Sequence, residues 1–541
     1  MNYGKTMISV LFSLMVVTCF ADNQKPGRPH VDLQLTIHPV TGHISGVAEY
    51  KYPTGSVFLL TKDLTVDSVV ADGKKVDYVQ SNTADWPFST EYTLPFCTLD
   101  LVVKFSGVIS DEHYPKSISN QNRITSQMIE LTDVIDWYPR FKNDENSTYT
   151  LSVKAPANFE FVTNGMQTKT ADTGETKETR FESKKPVSRI FLIGSAGMKN
   201  KILEGHHFTV EIYHTKLPEE YIERMIKNLA ATVEFYENLY HSAGSNNRIK
   251  IIYSPRPAGG YARGSVILVS EEFAFDQIKS QWGFARDFQL NAHEIAHLWS
   301  KAHWEDDWIN EGLAEYSAFL ASGKFIGTEF SNLLLSEYNS AIENSATQLS
   351  ILETTGDSWE SHINRYYKPA VLLNALRQKY GEAIMTELIA SLYAAFIQNH
   401  GGTTKLFLQT LEEKLGKEAY DFFTEGLNRK NWNKVSDTAG TAYDADFEGT
   451  WTGGLTQFGT TSKFVLHLNK DENKLIPVLD SPDQDVFGIP VSELQLSGDS
   501  ITCVVGVASA TFSGKLDRKT KTIHGNWNQR GTDYPLNISK E

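Results

Sequence analysis

The sequence predicts an α+β multidomain protein, with an antiparallel β domain first, an α+β domain in the middle and a small β-barrel at the end. Three observations carry this expectation. Apolar and polar residues alternate in short runs between residues 31 and 200, the period lengthens to that of a helix from Pro218 onward, and alternation returns beyond residue 446. With 541 residues, 40% of them hydrophobic and 11% aromatic, the chain is long enough to bury several cores. A net charge of −15 disfavours nucleic-acid phosphate as a partner.

At the N-terminus, Lys5 precedes an apolar run from Met7 to Thr18 that is too short to span a bilayer, and Ala21 ends a cleavage region. Residues 1–21 therefore read as a signal peptide of an exported protein, periplasmic or extracellular. Cys19 leaves a membrane-anchored lipoprotein as the alternative. No other run is long enough to cross a bilayer as a helix, and nothing in the sequence sets an oligomeric state.

Residues 22–203 form the expected N-terminal β domain, with runs such as Val57-Phe58-Leu59-Leu60 and Arg189-Ile190-Phe191-Leu192-Ile193 and turns at Asp72-Gly73 and Asn164-Gly165. The middle domain, 204–435, begins with a helical stripe of Tyr221, Ile222, Met225, Ile226, Leu229, Val233, Tyr236 and Leu239. Strands at Ile249–Tyr253 and Val266–Val269 then flank a glycine-rich loop, and helices fill 287 to about 430. Small and acidic residues from Ser436 to Asp446 mark a boundary, and the segment 446–541 alternates again. Trp451 and Trp527 read there as core plugs, which gives this last domain a structural or accessory role. Cys97 and Cys503 read as two buried free thiols.

The chemistry concentrates in His293-Glu294-Ile295-Ala296-His297 followed by Trp308-Ile309-Asn310-Glu311-Gly312. Residues four apart on a helix share one face, so both imidazoles can reach one ion, while Glu294 lies about 100° further round, where a general base is needed. Glu311 would arrive from a second helix, Trp308 to about Ser322, with Asp306 and Asp307 as N-cap candidates. Two histidines and a carboxylate suit one Zn2+ ion with an open fourth position. Glu315, one turn after Glu311, is placed to orient a ligand histidine. His303, between the two halves, reads as an exposed loop residue.

These residues, with Leu298-Trp299 and Leu313-Ala314-Glu315-Tyr316, resemble the gluzincin family of membrane alanyl aminopeptidases, which includes the leukotriene A hydrolases. The likeness extends over roughly residues 30–430, through Leu35-Thr36-Ile37-His38-Pro39, the Ser45-Gly46 step, Trp137-Tyr138-Pro139 and Tyr366-Tyr367-Lys368-Pro369. It implies a thermolysin-like α+β catalytic domain, zinc on His293, His297 and Glu311, Glu294 as general base, Tyr366 as transition-state tyrosine and a peptide as substrate. Gln127 and Glu130 fall where the family lines its first subsite. The C-terminal segment is similar to a β-barrel domain attached to secreted bacterial hydrolases.

Three departures stand out. Proline 369 replaces the family glycine, and only thirteen residues separate His297 from Glu311, a shorter link than is usual in the family. Where the family carries Gly-x-Met-Glu-Asn, this chain reads Gly259-Gly260-Tyr261-Ala262-Arg263, so Ala262 stands where the resemblance places the glutamate that holds the substrate's amino group. Three readings follow: an aminopeptidase-like exopeptidase; a zinc peptidase that cuts internally or anchors a carboxylate through Arg263; and a metal-containing binding protein without catalysis.

Overall fold

The computed structural model describes residues 28–82, 88–109, 122–142, 146–242, 248–256, 259–278, 280, 282–343, 345, 349–356, 358–430, 432, 444–457, 460–471, 474–484, 486–491, 493–505, 508, 510–529 and 532–541. The leader 1–21 with Cys19, and the boundary segment up to residue 443, lie outside these residues. The chain divides into two compact units, 1–199 and 200–541.

The first unit is built on an eight-stranded sheet and two four-stranded sheets. Strand His30–His38 lies inside the large sheet, antiparallel to His43–Lys51 and parallel to Ser147–Pro156. It sits there because Val31, Leu33, Leu35 and Ile37 all point to one buried face, the period-2 pattern of a strand packed on one side. Gly42, at φ +67°, closes the turn to the next strand in a conformation that favours glycine. The Ser45-Gly46 step has a packing cause. Gly46 pairs with Phe105 across the sheet, and a Cβ on residue 46 would sit 2.4 Å from that ring. Trp137 and Tyr138 are buried in the same core. The reading of Cys97 as a buried free thiol is corrected: Cys97 is half-buried and disulfide-bonded, whereas Cys503 is buried and free.

The second unit opens on a five-stranded sheet in the order Lys199–Glu204, Thr209–His214, Arg248–Ser254, Val266–Ser270, Gly260–Arg263. The middle three strands run parallel and are buried hydrophobic runs, as strands covered on both faces are. Gly260–Arg263 is the antiparallel edge strand, and the His293 helix packs beside it. Helix Glu219–Leu239 buries the predicted stripe from Ile222 to Leu239 in the core shared with the His293 helix, with Tyr221 left half-buried.

The C-terminal segment folds into an antiparallel barrel-like sheet of nine strands, with Gly449–Gln457 paired to the last strand, Thr532–Lys540. Trp451 and Trp527 do plug its core, with Phe464 and Phe512, and the Trp451 indole N–H donates to the Phe447 carbonyl at 2.8 Å. Among the described residues no helix is long and apolar enough to cross a membrane.

The Gly46–Phe105 contact gives a stability prediction. Gly46→Val forces a methyl-bearing carbon into the Phe105 ring and is expected to destabilise the first unit by about 1–3 kcal/mol, read as a lowered urea midpoint at unchanged slope.

Candidate metal centre and active site

His293 and Glu294 lie in the last turn of helix Gly283–Ala296, and His297 caps it with backbone angles still helical at φ −60°, ψ −13°. The helical phase therefore carries through both histidines, and Ile295, Ala296, Leu298 and Trp299 are buried around them. The second helix runs Asp307–Phe325, longer at both ends than the sequence suggested. The N-cap expectation is corrected. Asp306 occupies the cap position without capping, because its carboxylate accepts from the Thr404 hydroxyl, and Asp307 pairs with Arg365 at 3.0 Å. The short link between the helices is pinned by Asn310, whose side-chain oxygen accepts from the Ala302 amide at 2.9 Å, and by the His303 amide donating to the Gly402 carbonyl. His303 is exposed, as read from the sequence.

Ligand atoms of His293, His297 and Glu311 all lie within 4.8 Å of one another. Glu311 Oε2 is 3.2 Å from His293 Nε2 and 3.5 Å from His297 Nε2, so both imidazoles present the same ring nitrogen to one point. Their other nitrogens are engaged elsewhere: His293 Nδ1 contacts Glu315 at 2.7 Å, and His297 Nδ1 contacts Ser300 Oγ at 3.0 Å. Two imidazoles and a converging carboxylate are a donor set that fits zinc, with no fourth protein ligand among the described residues to close the site. Burial works against charge at His293, but hydrogen bonds to Glu311 and Glu315 outweigh it and raise its pKa well above the ordinary value. Glu311 is half-buried, and its contacts to both histidines hold it well below the usual carboxylate range.

Glu315, predicted to orient a histidine, contacts His293 from a fully packed position. Besides His293 it accepts from Gln289 Nε2 at 2.8 Å and from the Tyr338 hydroxyl. Glu294 is also buried, and burial raises its pKa against the pull of His297 and His293. A carboxylate with raised pKa beside a metal centre suits general-base work near neutrality.

Tyr366 lies on a π-helical turn, Ile363–Tyr367, just before helix Lys368–Tyr380. Its ring stacks on His293 at 5.4 Å between centroids and on His362 at 4.1 Å. Burial, with the charges of Glu311 and Glu294 and a hydrogen bond to Glu311, pushes its pKa up, so the hydroxyl keeps its proton and remains a donor. Pro369 is accommodated in the first turn of its helix, where no amide donor is required, and Gly312 makes room for it, since a Cβ there would sit 2.5 Å from Pro369.

Gly259 turns the chain into the edge strand at φ +71°. Gly260 then passes close to Glu294: a Cβ at residue 260 would lie 3.6 Å from its Oε1. Ala262 packs against the apolar core. The Arg263 guanidinium lies 5.0 Å from the Tyr261 ring centroid, and its charge reaches Glu294, where it lowers the carboxyl's proton affinity. Gln127 and Glu130 belong to the first unit. Gln127 is exposed, whereas Glu130 is fully buried on strand Met128–Leu131.

Tyr338, Gln289, Ser300 and His362 were missed from the sequence. Gln289 and Ser300 carried a signal, since each lies within four residues of a ligand histidine on the same helix or its end. Tyr338 and His362 come from other elements, Thr328–Glu343 and Trp359–His362, and no spacing announces them.

Fold and site together define a zinc metallopeptidase. Residues 224–425 match the Peptidase family M1 domain. No curated protein matches the chain in sequence. Among solved structures, the M1 zinc metallopeptidase from Deinococcus radiodurans is similar at 18% identity and a TM-score of 0.56, covering 76% of this chain and 97% of that one. A mutant of the same enzyme bound to a Tyr-Ser-Ala substrate is similar at 18% identity and the same TM-score, covering 75% and 96%. These likenesses establish a shared fold. The reading of a binding protein without catalysis is set aside by the peptidase domain.

Two outcomes test the supporting shell. Glu315→Gln removes the charged acceptor from His293 and is expected to weaken zinc binding about 10- to 100-fold, measured by competition with a chromophoric chelator. Asp287 is buried among Tyr221, Tyr253 and Asn291, and burial pushes its pKa up to about 6, against hydroxyl donors at 2.6 Å that oppose the rise. Because its folded pKa lies above the unfolded one, the folded state binds the extra proton, and stability falls as pH rises from about 4 to 6. Denaturation across that window is expected to show a shallower decline for Asp287→Asn than for the parent chain.

Proposed function

We propose that this chain is an exported zinc aminopeptidase-like exopeptidase, with its ion on His293, His297 and Glu311. The convergence of those three ligand atoms beside a buried Glu294 and the Tyr366 hydroxyl is the observation that carries the catalytic assignment. When bound, zinc supplies Lewis acidity and lowers the pKa of water toward neutrality. Glu294 takes the proton from the attacking water and returns it to the leaving amine. Tyr366 donates its retained proton in a hydrogen bond to the developing oxyanion. Glu315 keeps His293 in the tautomer that offers Nε2.

A peptide substrate accords with the relative of the same fold that is described as bound to Tyr-Ser-Ala. Export rests on the leader 1–21, with an acylated Cys19 as its alternative. N-terminal sequencing and intact mass of the exported protein separate cleavage after Ala21 from acylation at Cys19.

Ala262 and Arg263 favour a second reading. With a methyl where an ammonium partner would be expected and a guanidinium beside it, the edge strand is suited to a carboxylate, either a peptide C-terminus or an acidic side chain, or to internal cleavage.

One experiment decides between them. The zinc-loaded full-length protein is incubated with a mixed peptide pool, free and N-acetylated, and products are read by mass spectrometry beside Glu294→Ala. The exopeptidase reading predicts stepwise loss of N-terminal residues from the free pool alone, with Glu294→Ala slower by about 10²-fold or more. Equal cleavage of the acetylated pool replaces it with the second reading, and removal of zinc by a chelator is expected to abolish either activity.

A further inference from the structure

The turn that carries Tyr366 is tied to the helix that carries Glu311 at two points. At one the backbones pack closely, since a Cβ at Gly312, next to Glu311, would sit 3.4 Å from the Arg365 carbonyl oxygen. The other lies one helical turn earlier, where Arg365 Nη1 donates to Asp307 Oδ2 at 3.0 Å. Asp307 and Glu311 are four residues apart on helix Asp307–Phe325 and share a face, while Arg365 and Tyr366 are chain neighbours. The ion pair and the close backbone approach therefore hold the turn against the helix at neighbouring levels.

The surroundings make Arg365 a brace rather than a loose surface charge. Its Nη2 donates to the Gly356 carbonyl at 2.7 Å, and its side chain is 21% exposed against 35% for Asp307. The next residue back, Asn364, is fully buried and donates to Thr354 Oγ1 at 2.7 Å. A planar guanidinium that bonds two fixed acceptors sets direction as well as distance. A π-helical turn is a rare conformation that recurs at functional sites, and it persists only when neighbouring groups hold it.

We propose that the Arg365–Asp307 ion pair is a positioning device for catalysis, holding the π-helical turn so that Tyr366 is preplaced over His293. This rests on the reading of Tyr366 as oxyanion donor. Neither Arg365 nor Asp307 touches the reacting atoms, so the pair acts through Tyr366 and on the transition state rather than on substrate binding.

Steady-state kinetics on the full-length zinc-loaded enzyme test it with Arg365→Ala, Asp307→Asn, Tyr366→Phe and each of the first two combined with Tyr366→Phe. Arg365→Ala and Asp307→Asn are each expected to lower kcat about tenfold at unchanged KM and zinc content. Neither is expected to lower it further once Tyr366 is phenylalanine. An equal further loss in the Tyr366→Phe background, an unchanged kcat in the single variants, or a change in KM alone overturns the positioning role while leaving that of Tyr366 intact. A Tyr366→Phe enzyme with the parent kcat overturns the role of Tyr366, and that of the pair with it. If Arg365→Ala does not fold, the Asp307→Asn series, which keeps shape and changes only charge, carries the same comparison.

Discussion

The bond between His293 and Glu315 is the contact on which the metal centre depends. A buried carboxylate left unpaired costs several kcal/mol, so Glu315 is tolerable in its position only because His293, Gln289 and Tyr338 all turn donors toward it. Satisfying Glu315 fixes the His293 ring, and fixing the ring leaves Nε2 facing His297 and Glu311. Each helix contributes a pair spaced by four residues, His293 with His297 and Glu311 with Glu315, and a single packing of the two helices sets all four at once. The centre is thus a property of one helix–helix contact.

The other catalytic parts are delivered to that contact by elements of different kinds. The edge strand brings Gly260 near Glu294, where a Cβ would be in ordinary contact with Oε1 at 3.6 Å. The π-helical turn brings Tyr366 over His293, with His362 stacked on the same ring. The C-terminal barrel, by contrast, fills its own core with Trp451, Phe464, Phe512 and Trp527, and contributes none of the three ligands.

What could be read in the sequence follows from the range over which each feature is determined. The ligand set was legible because helical spacing is local and the second half of the motif lies only thirteen residues on. The strand alternation of the first unit and the stripe of helix Glu219–Leu239 were legible for the same reason. Tyr338 and His362 were not, because they reach the site from elements whose placement is tertiary. The Asp306 cap failed on a tertiary contact too, with Thr404 taking the carboxylate that an isolated helix would have used. The π-helical turn left no mark, since its residues would serve equally well in an α-helix. Cys97 was misread because spacing in sequence does not disclose pairing in space.

The edge strand is where family resemblance and local chemistry part. Exchanging a carboxylate for Ala262 removes an attraction for a substrate ammonium, and the adjacent Arg263 adds a charge of the opposite effect. Two unit charges about 4 Å apart interact by about 4 kcal/mol in a partly buried setting, close to a thousandfold in binding. Arg263 also acts within the enzyme: it lowers the proton affinity of Glu294, offsetting part of what burial raises. An amino terminus recognised at this strand would therefore rely on neutral acceptors, such as backbone carbonyls, and on carboxylates brought from elsewhere. A substrate carboxylate would find its counter-charge already in place. The edge strand thus places Arg263 both next to Ala262 and within electrostatic reach of Glu294.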